Sequence, residues 1–210
     1  MALLYAVGDS FTYGSELTST ESAWPVLLAT ALNMDVVNAG KQGASNDYIV
    51  RNTINAVSEL RPDLVVVAWT SCGRMEFADE YGTYDIWPGC ASREFDTSHQ
   101  HRSQLIGYIS HHSDDEYEYR RWLQQVILLQ HFLKVQNVNY VMCNAFDNQQ
   151  RNKKFKKETV NYWNMIDTSK FLGWPYEGIV EWTYGTPHGR GGHPLELGHE
   201  RIAQKIAEYI

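Results

Sequence analysis

The sequence has no long apolar run, and this absence excludes an integral membrane protein. None of its apolar stretches approaches the length of about 20 residues that a helix needs to cross a bilayer. Residues 1–7 carry no basic flank and reach Gly8 too soon for a secretory signal peptide. We therefore expect a cytoplasmic protein without a membrane partner.

Cysteine and positive charge are also scarce. The three cysteines, Cys72, Cys90 and Cys143, are an odd number without metal-ligand spacing, which favours a reduced compartment over a disulfide framework. Lysine and arginine number 18 against 25 acidic residues, so the net charge is −7. Nucleic acid is not an expected partner, because phosphate binding requires the opposite sign. Residues 8–14 lack the lysine and spacing of a P-loop, and no cofactor is expected.

Short apolar runs alternate with helix-forming segments along the chain. The pattern predicts strands over 3–7, 35–38, 64–69 and 139–143, and helices over 22–32, 45–60, 114–136 and 195–210. This alternation predicts one three-layer α/β/α domain over residues 1–210, with a mostly parallel, flavodoxin-like sheet of about five strands. Two stretches, 74–113 and 171–192, show no sustained period and are expected to be irregular loop insertions.

Two polar residues stand where such a fold places its site. Ser10, in Gly8-Asp9-Ser10, follows the first predicted strand and so lies at the carboxyl edge of the sheet. In isolation the Asp-Ser pair is also ordinary turn chemistry. His193 precedes the last predicted helix on a glycine-rich turn, from which it can reach a serine on another loop and take its proton. His199, inside that helix, is interpreted as a packing residue.

Taken together, these segments resemble the SGNH (GDSL-like) hydrolases, and Trp-Thr-Ser near an arginine is similar to a divergent, partly phage-encoded branch of that family. The resemblance implies that Ser10 is the nucleophile and His193 the base. The segment 38–43, Asn-Ala-Gly-Lys-Gln-Gly, resembles the second family block. It implies that the N–H groups of Ser10 and Gly43 bind the oxyanion.

The third family block departs from the pattern, since Cys72 occupies the place of its asparagine. A thiol is a poor donor, so the hydroxyl of Thr70 or Ser71 is the expected replacement in the oxyanion hole. Cys72 as the nucleophile is a weaker alternative. Arg74 could supply positive charge to the oxyanion or to an acidic substrate group, and a surface ion pair is an equal alternative. Asp9, beside Ser10, is a further candidate charged residue of the site.

The acid of the family's triad is also missing from its usual position, three residues before the histidine, where this chain has Arg190. Another carboxylate, from Asp167, Glu177 or Glu181, could orient His193. Alternatively a backbone carbonyl orients it and the pair is a Ser–His dyad, which is the arrangement favoured by the sequence.

The resemblance implies a serine-dependent ester hydrolase, with deacetylation of a carbohydrate or similar small ester as the expected reaction. Trp174 and Trp182, in an irregular stretch, could contact a sugar ring, and a small packed core is the alternative for them. The rival function is a catalytically weak or inactive hydrolase fold that serves as a glycan-binding or structural module, for example in a phage particle. A lipid or thioester hydrolase would need an aliphatic groove. Helix capping and solvation explain histidines 99, 101, 111 and 112 better than a metal site does.

Overall fold

A computed structural model describes residues 1–80, 82–86, 107, 114–146 and 154–210 of the chain. Its strands are β1 (Leu3–Gly8), β2 (Asp35–Gly40), β3 (Leu64–Trp69), β4 (Met75–Asp79), β5 (Gly82–Ile86) and β6 (Asn139–Asn144). Four of them form a parallel sheet in the order β2-β1-β3-β6. The predicted fold class is confirmed. The sheet has four described strands where about five were expected, and beside β6 single bridges join Met142 to Phe171 and Asn144 to Gly178.

Seven α-helices are described, and the two longest begin at side-chain caps. They are α1 (Ser10–Tyr13), α2 (Trp24–Leu32), α3 (Asn46–Leu60), α4 (Asp115–Val135), α5 (Lys157–Trp163), α6 (Ile179–Trp182) and α7 (Glu196–Ala207). Ser45 accepts a hydrogen bond from the Tyr48 N–H at the start of α3, and Asp114 caps α4 in the same way. α2 has Pro25 in its first turn, where the missing N–H has no intrahelical partner to lose.

Apolar side chains on alternate residues of β1 and β3 build two cores, one on each face of the sheet. Tyr5 and Val7 belong to the core under α3 and α4, and Leu4 and Ala6 to the core under α2 and α7. β3 is buried along its whole length, as expected for a parallel strand covered on both faces. Because helices cover both faces of the sheet, a site must lie at the ends of the strands.

The two stretches expected to be irregular contain regular structure. Residues 75–79 and 82–86 form the paired antiparallel strands β4 and β5, called the hairpin below, and residues 179–182 form α6. The four histidines, Cys90, Tyr81 and Trp87 lie outside the described residues. Within the described ranges, no helix is both long and apolar enough to span a membrane.

Candidate functional site

Ser10 is placed by the turn that joins β1 to α1. It is the first residue of α1, and Asp9 before it caps the helix by accepting the Phe11 N–H at 3.0 Å. Ser10 is 8% exposed. The sequence thus sets this hydroxyl at the carboxyl edge of the sheet, on a short capped turn, as predicted.

Asp9 ties this turn to the end of β3. Its Oδ2 accepts a hydrogen bond from Thr70 Oγ1 at 2.6 Å and faces Arg74 Nη1 at 3.5 Å. Arg74 also donates to the carbonyl of Ala44 at 3.2 Å. Asp9 is fully buried. Arg74 is therefore a partner of a buried carboxylate next to Ser10, and the alternative of a surface ion pair is wrong.

The hydroxyl of Thr70, one of two predicted as the third donor of the oxyanion hole, is engaged elsewhere. A hydroxyl has a single proton to donate, and that of Thr70 goes to Asp9. Ser71 is partly buried and stays a prediction for the third donor. The turn itself is held by Asn46, a buried residue that the sequence analysis missed: its side chain accepts the Thr70 N–H at 3.0 Å and donates to the carbonyls of Thr70 and Ser71.

Cys72 has an environment unsuited to a nucleophile. Burial, with a smaller contribution from the charge of Glu118, raises the pKa of its thiol to about 12. The reactive species of a cysteine is its thiolate, which is scarce at neutral pH when the pKa is so high. Ser10 therefore stays the predicted nucleophile.

The loop that carries Gly43 is held by the hairpin. Gly43 adopts a φ of 74°, a left-handed conformation that glycine accepts readily. Asp85 of β5, which is 8% exposed, accepts the Ser45 N–H at 2.8 Å through Oδ1 and pairs with Lys41 Nζ through Oδ2. Both ends of the Gly43 turn are thus fixed to one buried carboxylate.

His193 is brought to the same edge from the far end of the chain. Its ring lies edge-on to the ring of Phe11, the residue after Ser10, with 5.6 Å between ring centroids. Its Nδ1 lies 2.7 Å from Oε2 of Glu16, a residue of the loop after α1. The N–H of Gly191, followed by the imidazole of His193, lowers the pKa of the Glu16 carboxyl.

The group that faces the His193 imidazole differs from the expected one, because it is the carboxylate of Glu16. The sequence favoured a dyad in which a backbone carbonyl faces the imidazole, whereas a carboxylate is in place. Two of the carboxylates considered earlier serve elsewhere: Asp167 caps a 3-10 turn at Thr168–Lys170, and Glu181 accepts the N–H of Gly178. The signal that could have found Glu16 is the pair of glycines around Arg190, which indicates a close approach by another segment.

His199 is fully buried in α7, as predicted for a packing residue. Its Nδ1 accepts the N–H of Trp24 at 3.0 Å and so satisfies a backbone donor in the first turn of α2. Burial is the main cause that lowers the pKa of this imidazole to about 4. His199 is therefore neutral in the folded protein at pH 7 and links α2 to α7.

The aromatic side chains expected near a sugar pack in or against the two cores. Trp182 is 6% exposed among residues of α2 and α7. Trp174 packs against Trp163 and Phe171, with ring centroids 4.7 and 4.9 Å away. Burial favours the packed-core alternative for Trp182, whereas Trp174 is partly buried at the margin of a core and its contact with a sugar stays a prediction. Among the described residues, no cluster of three or more histidine, cysteine or carboxylate side chains could hold a metal ion.

Comparisons with known proteins give a family and a fold. Residues 12–210 match a family described as a family of unknown function (DUF6071), and this segment begins two residues after Ser10. No curated protein matches the sequence. One similar solved structure is a protein of the G-D-S-L family from Desulfitobacterium hafniense, with 13% identity, 100% coverage of each chain and a TM-score of 0.56. A second is the esterase EstA from a Pseudoalteromonas species, with 11% identity, coverage of 100% of this chain and 96% of that chain, and a TM-score of 0.58. A third is the acetyl xylan esterase AlAXEase, with 13% identity, 99% coverage of each chain and a TM-score of 0.52. At such identities the likeness shows the fold, which is that of the G-D-S-L esterases.

Proposed function

The chain belongs to the DUF6071 family, whose function is unknown, and we propose that it is a serine-dependent ester hydrolase. Ser10 is the nucleophile and His193 the general base. One observation carries the proposal: the two residues come from opposite ends of the chain to one edge of the sheet, where the His193 ring packs against Phe11. Nucleophilic catalysis requires a serine with a histidine within reach, and the contact of His193 with the residue after Ser10 supports that arrangement.

In the proposed reaction, Ser10 Oγ attacks the carbonyl carbon of the ester while His193 Nε2 takes the serine proton. The carbonyl oxygen becomes an oxyanion that the N–H groups of Ser10 and Gly43 and the hydroxyl of Ser71 stabilise. Collapse of this intermediate breaks the bond to the alcohol, which leaves with the proton from His193. Water then attacks the acyl-serine in the same way and releases the acid.

The number of oxyanion donors sets the expected rate. Losing one donor costs about 3–4 kcal/mol of transition-state stabilisation. Because Thr70 donates to Asp9, Ser71 is the hydroxyl that remains on this turn. The proposed enzyme depends on it for a third donor.

The proposed substrate is a small ester, with an acetylated carbohydrate as the first candidate. Its support is the similarity of the fold to the acetyl xylan esterase. The partly buried Phe146 offers an apolar surface next to the buried ring of Phe11, which His193 contacts, and the two phenylalanine ring centroids lie 4.8 Å apart. Such a surface suits the methyl group of an acetyl ester better than a charged acid.

Labelling with a fluorophosphonate probe, followed by mapping of the adduct, tests the proposal. Covalent modification of Ser10 in the wild-type protein, and none in the Ser10→Ala variant, is the expected result. Turnover of acetylated xylo-oligosaccharides should be lost in Ser10→Ala and in His193→Ala. Folded protein that neither reacts with the probe nor hydrolyses esters would instead indicate the inactive glycan-binding or structural module, whether or not phage-encoded.

A further inference from the structure

We infer that Glu16 is the positioning residue of this site, the carboxylate that holds His193 in the tautomer able to accept the serine proton. The inference rests on the proposed serine mechanism and adds a residue to it. Glu16 lies six residues after Ser10, on the loop that follows α1. It takes over the task of the aspartate whose place before the histidine is filled by the exposed Arg190.

The hydrogen bonds around Glu16 fix the direction of the contact with His193. Oε2 lies 2.7 Å from His193 Nδ1, and the Gly191 N–H lies 2.9 Å from Oε1 and 3.0 Å from Oε2. These donors favour the ionised carboxylate, whose oxygens can only accept. Nδ1 must therefore carry the proton. In the neutral imidazole, Nε2 is then free of a proton and able to take one from Ser10.

The backbone conformation of Glu16 supports a role for its side chain. Its φ is 68°, in the left-handed region where a side chain with a Cβ is strained and glycine is not. A turn alone would favour glycine or asparagine at this position. Strained residues of this kind are retained where the side chain serves a site.

The turn before His193 is shaped around the same carboxylate. A Cβ at Gly189 would lie 2.5 Å from Cδ of Glu16, and one at Gly191 would lie 2.9 Å from Oε2 and 3.1 Å from His193 Nδ1. Neither position can carry a side chain without displacing Glu16. The glycines therefore allow the carboxylate to reach the imidazole, which is the role a positioning residue requires.

The first test replaces the carboxylate with groups of known geometry. Glu16→Gln replaces one oxygen by an N–H₂ donor, so that either Nδ1 or the Gly191 N–H faces a donor, and it removes the negative charge beside the imidazole. Glu16→Gly keeps the left-handed backbone and removes the side chain. Both should lower kcat by about 10³- to 10⁴-fold with little change in KM, since Glu16 acts through His193. Added formate should restore part of the activity of Glu16→Gly.

Glu196→Gln is the matched control, because Glu196 anchors the same loop through the Thr18 N–H at 3.4 Å without a contact to His193. It should leave kcat unchanged. A low-field proton NMR signal from His193 Nδ1–H should be present in the wild-type protein and in the control and absent from Glu16→Gln. A Glu16→Gln protein with wild-type kcat, in a series where Ser10→Ala is inactive, would overturn the role of Glu16 alone. Full activity of Ser10→Ala would overturn the serine mechanism instead.

Discussion

Thr70 Oγ1 lies 2.6 Å from Oδ2 of Asp9, and neither side chain has any exposed surface. The contact joins the end of β3 to the residue immediately before Ser10. Because Asp9 also caps α1 through the Phe11 N–H, the position of Ser10 depends on a hydroxyl that comes from a neighbouring strand. The turn after β3 thus fixes the residue next to Ser10, although the asparagine of the SGNH pattern is absent from it.

Thr70→Val should destabilise the fold and lower activity together. Valine has the same shape but no hydroxyl, so a fully buried carboxylate loses its shortest hydrogen bond. The expected loss is about 1–3 kcal/mol in the free energy of unfolding, measured by urea denaturation. Thr70→Ser keeps the hydroxyl and should retain most of the stability. Equal stability of the valine variant and the wild-type protein would contradict the importance of this contact.

Asp85→Asn should slow turnover by loosening the Gly43 loop. An amide cannot accept from both the Ser45 N–H and Lys41, so one end of the loop loses its partner. A decrease of about 1–3 kcal/mol in stability is expected, along with a lower kcat. Glu76→Gln, on the same hairpin, breaks a pair with the half-exposed Arg51 and should cost about 1 kcal/mol or less, with kcat unchanged. The same kcat in both variants would argue against a role of Asp85 at the site.

Trp182→Ala should affect stability rather than substrate binding. Its side chain is 6% exposed within the core under α2 and α7. Truncation of a buried tryptophan costs about 3–5 kcal/mol, which denaturant unfolding can measure. Tyr184→Ala is the control from the same stretch, since Tyr184 is 86% exposed and its loss should leave stability unchanged. A Trp182→Ala protein with normal stability and a raised KM for acetylated sugars would restore a sugar-binding role.

His199 should make the fold sensitive to acid. Its pKa is about 4 in the folded protein against 6.5 for the ordinary side chain, mainly because of burial. Its full contribution is present above pH 6.5 and is lost as the pH falls towards 4, because the unfolded chain binds the proton first. The shift corresponds to about 3 kcal/mol.

His199→Asn isolates that contribution. The amide oxygen can accept the Trp24 N–H in place of Nδ1 but does not titrate. Urea unfolding of both proteins between pH 7 and pH 4 should show a shallower loss for the variant. Glu196 and His193 also act on the charge of His199, and they are unchanged in the variant. Parallel pH profiles for the two proteins would assign the acid sensitivity to other groups.

The elements that could be predicted from the sequence are those with a strong local pattern. β3, at Leu64–Trp69, matches its predicted bounds because an uninterrupted apolar run belongs in a buried parallel strand. α4 begins and ends within a residue of its predicted bounds, because Asp114 marks its start. The hairpin over 75–86 escaped prediction, because contacts with the distant Arg51 and Lys41 anchor its short strands.

At the site, the positions of residues near strand ends could be predicted, whereas their tertiary partners could not. Ser10 could be placed at the sheet edge because β1 ends two residues before it. The family pattern pointed to position 190 for the acid, and the glycines around Arg190 indicate a close approach by another segment without saying that the segment is the one that carries Glu16. The partner of the Thr70 hydroxyl was equally hidden, since Asp9 lies 61 residues away in the chain.

Glu16 and His193 are 177 residues apart in the sequence, so their contact closes almost the whole chain into one loop. Contacts of such large separation form late in folding, after local helices and neighbouring strands. Under the proposed mechanism, a chain that has built its sheet but has not docked α7 would hold Ser10 without its base. Ester hydrolysis would then appear only when folding is complete, whereas circular dichroism would already detect the helices. Incompletely folded molecules would not hydrolyse esters.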